Sequence, residues 1–388
     1  MIITRYIFRE ITIPFLLGIG ILTTTALLGK SLKLIELVVN HGIGLGTLSM
    51  FTLYTLPSLL IYIIPVSFLM AVLVAFNRLS GDMEIIAMKA SGLSLLRLSW
   101  PVLVMAVFSY IITLFLTLYA FPWGNLSYKK LLYDVVKVGP GLGIKERVFN
   151  STFEGLVLYI NRVKENELDG ILISEEKEGK ENNVIIARKG ILLSNPATLT
   201  LTLRLMDGTI HNRGERGGLY RLTTFNTYDL TLGLKKRDGE ETLSNRELSL
   251  KGLRDRIGDV KKRKENPAPY IIDLHKRFAL PAAVFTFGLL GVPLGIQKVR
   301  SGRFRGFCIG LLIVIVYYIL STAMESAGEG GSINPLVAVW GSDIGMGILG
   351  LCIFYKATRE SPVKALVWLE DRIDRTIVKI KDLLGGRG

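Results

Sequence analysis

Two small groups of residues carry the chemistry this sequence can offer. Lys30 and Lys33 follow a long uncharged run. Three residues apart, they share one face of a helix. Two ammonium groups at headgroup depth can bind the phosphates of an anionic lipid, or they can snorkel as plain anchors. The second group lies in Arg78-Leu-Ser-Gly-Asp-Met-Glu-Ile-Ile-Ala-Met-Lys-Ala-Ser-Gly92. It reads as a short helix capped by Ser80 or Gly81, with Asp82 and Glu84 complementing the N-terminal dipole and Gly92 stopping it. Met83, Ile85, Ile86, Ala87, Met88 and Ala90 make it unusually apolar for a loop. Such a helix buries its surface in the membrane interface or in a cytoplasmic partner's groove, where its carboxylates can pair with arginine.

Other chemistry fails on inspection. Thr24-x4-Gly29-Lys30-Ser31 imitates a phosphate-binding loop, but it lacks the first glycine and ends an apolar run instead of following a strand. No ATPase site of its own is expected. G-x-S-x-G and H-E-x-x-H are absent, so an intramembrane hydrolase has no motif behind it. His41, His211 and His275 are scattered, and Cys308 and Cys352 lie in apolar runs, so no metal site and no disulfide framework is expected. Glu325 and Asp343 are carboxylates in or near spans. They either face water and headgroups or hydrogen-bond inside a bundle. Gly291-Val-Pro-Leu-Gly295 suggests close helix approach rather than chemistry.

The elements that must position these groups are membrane helices. Of 388 residues, 49% are hydrophobic and only 21% charged, and the mean hydropathy is +0.41. That balance excludes a purely soluble nucleic-acid-binding protein despite a net charge of +14. About 20 apolar residues cross a bilayer. The uncharged runs place spans at Ile11–Gly29, 50–76, 100–122, Phe278–Gln297, Gly306–Met324 and, more weakly, Leu336–Tyr355. Residues 35–49 read as an interfacial turn and short helix. The first span is too long for a signal-peptide core and lacks an Ala-x-Ala site, so it is expected to stay as an anchor.

Cations sort the loops. Lys298, Arg300, Arg303 and Arg305 fill one short loop, and Arg78, Lys89 and Arg97 another, whereas 325–335 holds Glu325 and Glu329 with no cation. The positive-inside rule then puts both termini in the cytoplasm.

Between Trp123 and about Pro269 the chain is polar, with period-two segments at 156–160, 170–174, 183–187, 198–203, 217–222 and 225–232. Turn signals at Ser194-Asn-Pro196, Asp207-Gly208 and Asp238-Gly239 separate them, predicting an antiparallel sandwich or roll outside the cytoplasm. A charged connector helix is expected over Leu243–Glu265, either solvated or facing lipid headgroups.

The layout, three spans, a β-rich domain and three more spans, joins two further stretches, Leu274-His-Lys-Arg-Phe-Ala-Leu-Pro281 and Leu290-Gly-Val-Pro-Leu-Gly295. With Arg78–Gly92, these resemble the permease subunits of the lipopolysaccharide export transporter (LptF/LptG, YjgP/YjgQ type), and the wording around Glu84 and 274–295 is closer to the LptF branch. The resemblance implies a six-helix membrane bundle with an inserted all-β, jellyroll-like periplasmic domain. It implies a bacterial inner-membrane permease, not itself an enzyme, paired with a paralogous permease and served by a cytoplasmic ATPase dimer that binds the ATP, with no cofactor of its own.

By the same resemblance, Asp82, Met83, Glu84 and Ile86 couple to the ATPase, and Lys30 and Lys33 face lipopolysaccharide phosphates. Periplasmic bridge proteins with jellyroll folds take the lipid onward. The implied division is 1–122 and 270–356 for the two membrane halves, 123–269 for the β domain with its connector, and 357–388 for a cytoplasmic tail. The alternative is a membrane scaffold or adhesion protein whose β domain binds partners without transport.

Overall fold

The computed structural model describes residues 2–41, 44–138, 147–153, 156–164, 167–175, 183–195, 200–213, 220–232, 245–263, 265–296 and 303–359. Two compact units emerge. One combines Met1–Gly29, Thr55–Gly124 and the chain from Asn245 onward; the other combines Lys30–Tyr54 with Asn125–Ser244.

The first unit is helical. Among the described residues the helices before the sheet are α1 (Ile2–His41), α2 (Leu45–Gly81), α3 (Glu84–Ala90), α4 (Leu95–Phe115) and α5 (Phe121–Val138), with a π turn at Leu116–Ala120 joining α4 to α5; α1 beyond Gly29, α2 before Thr55 and α5 from Asn125 onward belong to the second unit. After the β domain come α6 (Leu250–Lys262), α7 (Ala268–Gly295), α8 (Arg303–Glu329) and α9 (Pro335–Thr358). Six of these are long and apolar enough to cross a membrane, at Ile2–Lys30, Gly46–Gly81, Leu95–Leu132, Ala268–Gly295, Cys308–Glu329 and Pro335–Thr358. All six expected spans are therefore helices, including the weak sixth.

In lipid, apolar surface alone does not drive helices together, so close packing must do it. On α7, Gly288, Gly291 and Gly295 face Phe68, Val72 and Phe76 of α2. A Cβ on Gly295 would lie 2.6 Å from the Phe76 Cβ and 3.3 Å from the Leu73 carbonyl oxygen. Glycine there is what allows the two backbones to approach. The resulting core joins Phe68, Val72, Phe76, Val102, Val284 and Val292. Prolines within α1, α2, α4, α7 are tolerated because neighbouring helices re-satisfy the freed backbone groups.

The second unit holds one antiparallel sheet of β1 (Phe149–Phe153), β2 (Leu156–Lys164), β3 (Glu167–Glu175), β4 (Asn183–Asn195), β5 (Thr200–Arg213) and β6 (Tyr220–Leu232). The strands follow one another in chain order, an up-and-down meander. Alternating residues form its core: Leu158 and Ile160 on β2, Ile171 and Ile173 on β3, Ile185 and Ala187 on β4, Leu203 and Leu205 on β5. Each buried leucine or isoleucine contributes about 1.5–3 kcal/mol. Leu132 of α5 packs against the same core.

The structure corrects four expectations. The turn and short helix at 35–49 are instead the ends of two long helices, α1 to His41 and α2 from Leu45. The helix entering the β domain continues to Val138, because its apolar face goes on past the last uncharged window. Asp207-Gly208 is not a turn but a kink inside β5, with Asp207 at φ 53°. A Cβ on Gly208 would lie 2.4 Å from both the Ile186 carbonyl oxygen and the Phe225 ring, so the glycine serves close approach across the sheet. The described part of 217–222, from Tyr220, runs on with 225–232 as the single strand β6, with 217–219 outside the described residues, and β1 was not anticipated. As expected, the domain is antiparallel and all-β: its six strands form one sequential sheet among the described residues. Asp238-Gly239, Lys298, Arg300 and the tail from 360 lie outside the described residues. The connector helix is present as α6, with the Ser249 side chain accepting from the Gly252 amide at 3.2 Å.

Candidate functional site

The apolar loop after the second span is built differently from its expected capping. α2 persists to Gly81, so Ser80 and Gly81 belong to its last turn and cap nothing on α3. The Asp82 amide donates to the Arg78 carbonyl and the Met83 amide to that of Ser80. Met83 then takes a left-handed conformation, φ 60°, and serves as the N-cap without a side-chain bond. That backbone state costs a non-glycine residue about 1–2 kcal/mol. Here it lets the chain turn sharply from α2 into α3. Gly92, at φ 89°, ends α3 as expected.

Seven residues are too few to hold a helix by themselves. α3 is held by Ile85, 1% exposed, in a core with Ile7 and Ile11 of α1, Leu79 of α2, and Leu95 and Leu98 of α4. Met88 and Leu93 pack at its edge. The other face looks outward: Met83 is 45% exposed and Ile86 56%. An anchored helix thus presents a small apolar face bordered by Asp82 and Glu84.

Both carboxylates have partners in the same unit. The Tyr6 hydroxyl of α1 donates to Glu84 Oε1 at 3.1 Å. Arg78 pairs with Glu10 of α1 through Nη1 and lies 3.6 Å from Asp82 through Nε. The ties from Tyr6 to Glu84 and from Glu10 to Arg78 are not legible in the sequence because the partners stand 78 and 68 residues apart. The concentration of charge at both helix ends was the only local signal.

A second polar cluster sits in the first half of α7, on the Leu274–Pro281 stretch. The Lys276 ammonium donates to Glu325 at 2.6 Å, and the Ser321 hydroxyl to the other oxygen of that carboxylate. Glu325 therefore pairs within the bundle instead of simply facing water. The buried Arg277 guanidinium donates to the carbonyls of Asn245 and Leu248 at 3.0 and 2.6 Å. Asn245 in turn donates to Asp273 at 2.6 Å, and the Thr117 hydroxyl, in the π turn, donates to the Arg277 carbonyl at 2.9 Å. This cluster staples the segment before α6 to α7. Asp343 is buried among α7, α8 and α9, where its Oδ1 accepts from the Tyr317 hydroxyl at 2.8 Å.

Lys30 is exposed on α1, and the same helix runs unbroken through Lys33, whose side chain lies outside those described. Their one-turn spacing therefore holds in the backbone. Among the described residues no group of three metal-ligating side chains converges.

Comparison with known proteins closes the question of family. The family model described as "Lipopolysaccharide export system permease LptF/LptG" matches residues 5–356. The chain is 24% identical to the lipopolysaccharide export system permease protein LptF of Escherichia coli over 380 residues, 94% of this chain and 97% of that protein. The Shigella flexneri LptF matches to the same extent. An uncharacterized Rickettsia prowazekii protein is 23% identical over 194 residues, about half of each chain. A match across both membrane halves, the β domain and the short apolar helix does not favour a scaffold without transport. With six apolar helices and an inserted antiparallel sheet, this multi-pass membrane protein belongs to the LptF/LptG family of lipopolysaccharide export system permeases.

Proposed function

We propose that this permease is one half of a paired membrane core that draws lipopolysaccharide from the outer leaflet of a bacterial inner membrane and passes it to jellyroll bridge proteins in the periplasm. Its partner is a paralogous permease. A cytoplasmic ATPase dimer binds and hydrolyses the ATP, so the chain carries no nucleotide or other cofactor. Both termini are cytoplasmic and the sheet periplasmic, in keeping with the cationic short loops around Arg78 and Lys298 and the acidic loop holding Glu325 and Glu329. The functional division follows the same lines: membrane halves at 1–122 and 270–356, the β domain with its connector at 123–269, and a cytoplasmic tail at 357–388.

The observation that carries this reading is α3. Its Ile85 is locked into the bundle while Met83 and Ile86 stay exposed beside Asp82 and Glu84. A helix fixed on one side and apolar on the other suits docking in a groove, with the carboxylates meeting cations of the ATPase. Closure of the ATPase pair would press on α3 in each permease and narrow the lipid cavity between them. Lys30 and Lys33 would hold the lipid phosphates on the way. Ammonium groups, being point charges without the bidentate fork of arginine, suit a contact that must also release.

In proteoliposomes containing the full complex, Glu84→Ala is expected to lower lipid delivered per ATP by about tenfold, within the usual range of a coupling free energy between two sites. Unchanged delivery would reject the coupling role. Lys30→Glu with Lys33→Glu should cut photocrosslinking to lipopolysaccharide at least about threefold, consistent with roughly 1 kcal/mol per surface cation. Equal crosslinking would leave the two lysines as anchors only.

A further inference from the structure

Among the contacts that hold α3, those from α1 combine apolar packing with polar ties. Ile7 and Ile11 of α1, 1% and 0% exposed, pack in the core that buries Ile85. On the same end of α1, Tyr6 reaches Glu84 and Glu10 reaches Arg78, which also faces Asp82. Residues 6, 7, 10 and 11 form one helical face, at the i, i+1, i+4, i+5 positions that a single contact surface uses. An apolar wedge and two polar ties thus join α1 to α3 and to the last turn of α2.

We propose that Tyr6, Glu10 and Arg78 are positioning residues of transport that carry the displacement of α3 into α1. The inference rests on the reading of α3 as the helix that meets the ATPase. The wedge of Ile7, Ile11 and Ile85 transmits a push, since packed side chains resist compression. The ties transmit a pull, because the Tyr6 hydroxyl and the Glu10 carboxylate hold α1 to α3 and α2 when the wedge alone would separate. The arrangement gives Glu84 two roles, one toward the ATPase and one toward Tyr6. Motion of α3 thereby reaches a helix that has little other packing on its far half, where Leu17 and Ile21 are 60% and 65% exposed.

A double-mutant cycle in the reconstituted full complex tests this. Glu10→Gln, Arg78→Gln and the two together are compared for ATPase copurification, ATP hydrolysis and lipopolysaccharide delivered per ATP. Each single variant is expected to copurify the ATPase normally and to lose about threefold in delivery per ATP, with the double variant no worse than either single, as coupled neighbours behave. Multiplying losses in the double variant, or wild-type delivery in the singles, would overturn the proposal. Tyr6→Phe removes one oxygen and keeps the ring, so it tests the second tie even if a charge variant fails to fold. It should likewise lower delivery per ATP without lowering ATPase binding, and unchanged delivery would remove Tyr6 from the proposal. Glu84→Ala is run alongside. Full delivery by that variant sinks the coupling reading itself, whereas an uncoupled Glu84→Ala beside an additive Glu10/Arg78 cycle sinks only the ties.

Discussion

α7 and α1 are both apolar helices of similar hydropathy, yet they relate to the protein in opposite ways. α7 is enclosed: Ala283, Val284, Phe287, Leu290, Val292 and Leu294 are all buried, and its polar start is stapled through Lys276 and Arg277. α1 is buried along one stripe only, Ile7, Ile11 and Phe15, while Ile13, Leu16, Leu17, Ile21 and Leu28 are exposed. Apolar length selects membrane helices but does not say which are core. The difference lies in small residues. Three glycines on α7 admit the side chains of α2, whereas on α1 Gly18 alone of the described glycines meets α2, at Ser67, and Gly20 and Gly29 have nothing near the place a side chain would occupy. Packing in lipid is decided by shape, not by hydrophobicity.

The comparison can be broken at its strongest point. Gly295→Val puts two methyl groups where the α2 backbone already stands, and overpacking of this kind costs about 1–3 kcal/mol or more. Its detergent-solubilised melting temperature should fall steeply, while Gly20→Val on α1 should melt as the parent does. Similar losses at both sites would mean that α1 is as tightly packed as α7. A smaller effect is expected from Arg277→Met, which fills the space but leaves the Asn245 and Leu248 carbonyls without that donor. An unmet buried acceptor costs about 1–3 kcal/mol. Limited proteolysis at the α6 junction should accelerate in this variant, and an unchanged cleavage rate would show that the staple is dispensable.

The sequence reading succeeded where a pattern is local. Uncharged runs gave the six helices, and period-two alternation located β2 to β5 but stopped well short of the ends of β4 and β5. The charged run over Leu243–Glu265 located α6, and Gly92 with the apolar content of 83–90 located α3. It failed where geometry depends on something distant. Met83 replaced Ser80 as the cap because α2 keeps its helical hydrogen bonds longer than its composition suggests. Asp207-Gly208 looked like a turn, but Phe225 from the next strand claims the space above the glycine. The candidate site divided in the same way. Asp82, Met83, Glu84 and Ile86 were visible as an acidic, apolar segment, whereas Tyr6, Glu10 and Arg277 gain meaning only from partners tens of residues away.

The buried stripe on α1 has a mechanical consequence. Its residues recur every four positions, at 7, 11 and 15, with Ile19 half-buried at the next. Four steps of about 100° overshoot a full turn by about 40°, so a straight helix rotates its stripe away from a straight neighbour as it rises. Contact therefore thins along the helix, with Gly18 still against Ser67, while the foot of α1 carries both the buried stripe and the polar ties. From Phe15 to Gly29 the axis advances about 21 Å at about 1.5 Å per residue, so a tilt of about 10° at the foot swings that point by about 4 Å. Under the transfer from α3 proposed above, a small stroke at the foot of α1 becomes a displacement at its far end on the scale of a lipid chain's width.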